Sequence, residues 1–200
     1  GGVGGSGPQG NGTGTREGER KRALALWRAL CRVAPLGTGG AEGGRARAVI
    51  GADLDGEQMA GVYAVFGVER GSVTELTVTN ADEREYLDGL VDSGVLGTHA
   101  ISCAYVELLP EGSGLEVTAE NVNWCTPEMY VSALATAGIT DARVKVAAPF
   151  AVSGTAALTG VYLAYEDITG EELSEEAKRV SSQELTVTAS LSDSIGSLGS

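Results

Sequence analysis

The run APFAVSGTAALTG, residues 148–160, concentrates the groups in this chain that could do chemistry. Ser153, Gly154 and Thr155 stand where a strand pattern gives way to a helix pattern. Backbone N–H groups and the positive end of the helix dipole could hold a phosphate or carboxylate there. The chain supplies no phosphate-loop lysine at the required spacing and no GxGxxG, and the surrounding sequence is acidic. The competing reading is a helix capped by Ser153, with Gly and Ala residues that permit close packing on a sheet. His99 is the one histidine, so any Ser–His–acid arrangement must use it. It follows Gly97 and Thr98 without a GxSxG elbow and reads as a structural side chain. Asp82, Glu83, Glu85 and Asp88 are the carboxylates a metal site would draw on. Their spacing fits no calcium-binding loop, and a solvated helix face is the better reading. No metal and no cofactor are expected.

Three cysteines, Cys31, Cys103 and Cys125, are too few for a disulfide scaffold and lack the CxxC spacing of a zinc site. Cys103 and Cys125 fall in two strand patterns separated by PEGSG at 110–114. With a tight turn there, Cys103 faces about Asn121, and an offset of four residues puts Cys125 roughly 13 Å away. A disulfide needs Cα atoms within about 7 Å. A longer loop over about 110–118, or bulges, would bring the thiols opposite each other. Trp124 and Tyr130 could form a stacking patch for a carbohydrate. Aromatic residues make up only 5% of the chain, which favours a core role for both.

The elements that must position these groups are set by charge and periodicity. The formal net charge of −13 is unevenly spread. Residues 1–50 carry eight Lys/Arg and three Asp/Glu, whereas residues 51–200 carry six and twenty-four. A body this acidic repels nucleic acid, whose binding depends on Lys and Arg neutralising phosphates. No stretch approaches the roughly 20 apolar residues of a membrane-spanning helix. Residues 1–48 read as a basic leader. A Gly-rich start is followed by RKRALALWRALCRVAPL (20–36), whose basic start and apolar middle outline a secretory signal. Arg28 and Arg32 interrupt that middle, so a short amphipathic helix and a disordered segment stay open as readings. Residues 37–48, GTGGAEGGRARA, read as a linker.

An acidic domain is expected over 49–168. Asp55 or Asp53 caps a helix over about 56–66, with Met59, Val62, Tyr63 and Phe66 on its apolar face and Gly67 ending it. Residues 73–79 alternate as a strand, and Asn80 with Glu83 has the spacing of a capping box for a short helix. Residues 98–109 and 115–124 read as a hairpin across PEGSG. Thr126-Pro127-Glu128 starts a helix that Gly138 ends, and residues 143–150 form the next strand. A helix follows Ser153, and Thr169 with Glu172 reads as a capping box for a C-terminal helix over 169–200. Its apolar face is Leu173, Ala177, Val180, Thr188, Leu191 and Ile195. The expected fold is α/β (α+β): a two-layer sheet of about four strands around a central hairpin, with helices packed on one or both of its faces. The order helix, Gly-Val or Gly-Ile, strand, capped helix occurs twice, from Glu57 and from Glu128, as a weak internal repeat.

Residues 121–173 and the segments IGADLDGEQ (50–58), VTNADEREYL (78–87) and GTHAISCAYVE (97–107) resemble, in order, the bacterial YpuA-like family, domain of unknown function 1002. The most specific part is APFAVSGTAALTG. The resemblance implies a secreted or envelope-associated protein of Gram-positive bacteria, made with a signal peptide, with no established activity. Such an address favours a disulfide between Cys103 and Cys125 over two buried free thiols. The expected role is non-catalytic binding of a partner protein, an envelope polymer or a cation, with self-association through the C-terminal helix a further possibility. The alternative is an envelope hydrolase using the 149–155 turn with His99 as base.

Overall fold

The structure, a computed structural model, describes residues 44–196. Five strands form one mixed sheet: β1 (Ala46–Gly51), β2 (Thr74–Val78), β3 (Cys103–Leu108), β4 (Leu115–Val122) and β5 (Ala142–Val152), in the spatial order β2-β1-β3-β5-β4. The pairs β1–β2 and β4–β5 are parallel, and β3 runs antiparallel to β1 on one side and β5 on the other. The helices are α1 (Gly56–Phe66), α2 (Asn80–Leu87), α3 (Ser93–Leu96), α4 (Pro127–Thr136), α5 (Thr155–Thr169) and α6 (Glu175–Gly196).

The α/β class and the helices packed on the sheet are as the sequence predicts. Several particulars differ. The additional strand is β1, ARAVIG, whose first three residues fall in the stretch expected to be linker. Its Ala and Arg residues lack the β-branched content that marks a strand, yet Ala46 and Ala48 are fully buried. The expected hairpin is opened by one strand: β3 and β4 do not pair, and β5 lies between them. Ala142 of β5 faces Leu108 of β3 on one side and Leu115 of β4 on the other. Residues 109–114 therefore cross two strand spacings, roughly 10 Å, which six residues span easily. The turn sequence is unchanged in kind; its width is set by the long-range insertion.

The sheet is covered by helices on both faces, one of the two arrangements expected. Side chains alternate along each strand between the two faces. Ala46, Ala48, Ile50, Cys103 and Tyr105 pack under Val62, Tyr63 and Phe66 of α1. Val49, Ala104, Val106, Val144 and Val146 face the opposite way, against α2 through α5. The central strands are buried on both faces, whereas β2 and β4 at the edges alternate with exposed positions. α6 lies outside this second layer on α4 and α2. Its buried positions are Lys178, Ser181 and Ser182, whereas Val180 of the expected apolar face is exposed. The side chains of Thr188, Leu191 and Ile195 lie outside those described, as does the whole leader through residue 43.

Helix caps follow local chemistry closely in three places. Asp55 accepts from the N–H groups of Glu57 and Gln58 at the start of α1, Gly67 ends that helix in the left-handed region, and Thr126 caps α4. Elsewhere the register moves. Thr79, with Asp82, forms the capping box of α2 in place of Asn80 with Glu83. Gly154 is the N-cap of α5 in place of Ser153, and Thr169 ends α5 where a new helix was expected. Ser174 accepts from Ala177 N–H at the start of α6.

Candidate functional site

Because β1, β2, β4 and β5 run one way and β3 the other, four carboxyl ends and one amino end share an edge of the sheet. Ligands of open α/β sheets bind outside such an edge. Here it carries Asp53, Asn80, His99, Ser102, Ser153 and the start of α5.

The expected anion site is in this place, and the chain's own groups occupy it. Gly154 caps α5 with φ 97°, without a side-chain cap. Ser102, from the approach to β3, accepts from Ala157 N–H at 2.8 Å. Thr155 is buried and donates through Oγ1 to Glu83 Oε1 at 2.7 Å, while Ser153 Oγ lies 3.2 Å from the same hydroxyl. Asn80 Nδ2 donates to Glu83 Oε2 at 3.2 Å. The carboxylate beside the helix start is thus Glu83, 1% exposed. Burial pushes its carboxyl above the usual range, against the opposing pull of the Thr155 and Asn80 hydrogen bonds and of Arg84.

The glycines of this run are explained by close approach. A Cβ on Gly154 would meet the Tyr130 hydroxyl and Val122 Cγ1 at 2.5 Å, and one on Gly160 would meet Val49 Cγ1 at 2.9 Å. Tyr130 Oη donates to Gly154 O at 2.6 Å and is fully buried. Trp124 packs partly buried against the same cluster, so both aromatic residues serve the core.

The other expected groups are dispersed. His99 is exposed, and its Nδ1 lies 3.7 Å from Asp53 Oδ2, which accepts from Ala100 N–H at 2.8 Å. Among the described residues it makes no hydrogen bond to Ser153 or Thr155, whose hydroxyls belong to the Glu83 network. The expected Cys103–Cys125 disulfide is not formed: both are free and buried. They belong to core clusters on opposite faces of the sheet. Burial pushes each thiol up to about 12, which leaves little thiolate for nucleophilic work at neutral pH. Of the four acids expected there, Asp82 caps α2, Glu83 turns inward, and Glu85 and the C-cap residue Asp88 face a cleft. No group of three or more His, Cys, Asp or Glu able to hold a metal occurs among the described residues.

That cleft is the feature sequence reasoning missed. It measures about 450 Å³ and lies between Glu85, Tyr86, Asp88 and Leu90 on one side and Glu175, Glu176, Lys178 and Arg179 of α6 on the other. Lys178 is buried in its wall. Its Nζ lies 2.9 Å from Glu166 Oε1 and 4.3 Å from the centre of the Tyr86 ring. Burial alone would lower its pKa; the hydrogen bonds to Glu166 and Tyr86 outweigh that and raise it to about 12. The sequence signal was faint, a polar Lys178-x-x-Ser181-Ser182 stripe on a helix otherwise read by its aliphatic residues.

Fold and edge together define a mixed α/β domain in which the hydroxyls and the carboxylate at the start of α5 are paired with one another, with an open cleft between α2 and α6. The chain belongs to the family described as protein of unknown function (DUF1002), whose model matches residues 50–199. It is 45% identical over 147 residues to the uncharacterized protein YpuA of Bacillus subtilis (strain 168). That alignment covers 74% of this chain and 50% of YpuA, so the chain spans about half the length of that relative. No solved structure matches the chain.

Proposed function

We propose that this is a non-catalytic binding domain of the bacterial exterior or envelope, which takes a cationic protein segment or envelope polymer in the cleft between α2 and α6. The cleft carries this reading. Its charged lining is four carboxylates, Glu85, Asp88, Glu175 and Glu176, against Lys178 and Arg179, and the Lys178 charge is already held by Glu166 at 2.9 Å and Glu175 at 3.5 Å. The acidity of the whole body, six Lys/Arg against twenty-four Asp/Glu over 51–200, would draw cationic partners toward it. The internal pairing of Glu83, Thr155 and Ser102 supports a binding role over a catalytic one, because those groups already have partners. The family resemblance supports the extracellular address.

The test is calorimetry with oligolysine at low and high salt, on the wild type and on a Glu85→Lys/Glu176→Lys variant. Salt-sensitive binding that the double reversal weakens at least tenfold supports the cleft. Equal affinity for both proteins sinks it. Fractionation of a bacterium that carries the protein tests the address, and recovery in the cytoplasm alone overturns it.

A further inference from the structure

Glu83 differs from the other carboxylates of this segment in being buried, with neutral hydrogen-bond donors at both oxygens. It is 1% exposed, and its two oxygens accept from neutral donors, Thr155 Oγ1 at 2.7 Å and Asn80 Nδ2 at 3.2 Å. Arg84 acts on it through its charge alone: its Nε donates to Asn80 Oδ1 at 3.1 Å and its Nη2 to Gly97 O at 3.0 Å. An ionised carboxylate so placed is costly, because neutral donors replace only part of its lost hydration. A neutral carboxyl keeps a carbonyl oxygen to accept with and sheds the cost of a buried charge.

We propose that Glu83 is a proton-responsive anchor between α2 and the start of α5, holding the two helices more firmly when protonated than when ionised. The charged and titratable groups around it are Arg84 on its own helix, Asp53 after β1, and Cys125 and Tyr130 at the start of α4. Arg84 favours the ionised form and Asp53 opposes it. Burial is the largest influence and favours the proton.

The sign follows from linkage. The folded state binds this proton more tightly than the unfolded chain, so the junction gains stability as pH falls through the folded value. The gain is complete below the ordinary glutamate range. The rest of the chain contributes its own pH dependence to both proteins alike. The informative quantity is therefore the difference between wild type and variant.

Thermal melts of the wild type and Glu83→Gln from pH 4 to 8 test the anchor without any ligand. Gln keeps a carbonyl acceptor and cannot ionise. The expected result is a Tm difference that grows with pH, the variant melting about 3 °C above the wild type at pH 8 and level with it or below at pH 4. A difference that does not change with pH overturns the proposal. Should the variant fold poorly, carbon-13 NMR titration of the wild-type Glu83 carboxyl replaces it. Titration well above the ordinary glutamate range supports the anchor, and titration at or below that range overturns it. α2 also presents Glu85, Tyr86 and Asp88 to the cleft, so protonation would firm one cleft wall. Only that consequence rests on the binding reading; failure of oligolysine binding leaves the melts unaffected.

Discussion

Two junctions on one face of the sheet each bury an ionisable group, and they solve the same problem in opposite ways. At the start of α5, Glu83 is held by a hydroxyl and an amide. On α6, Lys178 is held by the Glu166 carboxylate and the face of Tyr86. Burial opposes charge in both places. It prevails at Glu83, where the pKa moves toward the neutral form, and is outweighed at Lys178, where it moves toward the charged form. Burial alone does not decide the state of a buried group; the charge of its partner does.

The largest expected effect comes from breaking the satisfied junction. Lys178→Met leaves Glu166 without its cation and should cost about 3–5 kcal/mol in urea unfolding. Glu166→Gln added to that variant should recover part of the loss, since Gln still accepts from Leu173 N–H, a bond of 2.9 Å in the wild type. A lysine whose pKa rises on folding adds stability below its ordinary value of 10.5 and loses it as pH climbs through about 12. The gap between wild type and Lys178→Met should accordingly narrow from pH 10 to 12. A constant gap would show that Lys178 acts by packing and not by charge.

Next in size is Gly154→Ala, at the other junction. The residue has φ 97°, and a methyl group would meet Tyr130 and Val122 at 2.5 Å. Strain and overpacking together should cost about 2–4 kcal/mol, read by the same urea titration. A loss below about 0.5 kcal/mol would mean that the start of α5 yields, which weakens the case for a rigid anchor at Thr155. The smallest change has the opposite sign. Thr159 is fully buried, and its hydroxyl has no hydrogen-bond partner among the described residues. Thr159→Val keeps the shape, removes the unpaired group and should raise stability by roughly 1 kcal/mol. Destabilisation would reveal a partner for the hydroxyl.

Elements governed by neighbours in sequence were legible. α1 and α4 begin at their expected caps, Asp55 and Thr126, because a cap is a bond between residues two or three apart. The α/β class was legible from strand and helix periods, and the strands of the two repeat units, β2 and β5, each lie parallel to the strand before their helix, β1 and β4. β1 escaped notice because Ala and Arg alternate there without strand preference, and its place between β2 and β3 is what makes it a strand. The hairpin failed for a related reason: nothing in PEGSG records that a strand from beyond α4 will enter between its arms.

The run around Ser153 shows the same division at the scale of a site. By itself the sequence determined that a strand would end and a helix begin there, that the body would be strongly acidic, and which helices would carry the acids. Only the tertiary structure decided that the carboxylate beside this helix start is Glu83, that Ser102 caps the helix from another strand, and that Cys103 and Cys125 face opposite ways. Caps and periods are local and nearly additive, so sequence carries them. The partner of a buried charge is fixed by which strands lie side by side, through contacts between residues as far apart as Glu83 and Thr155.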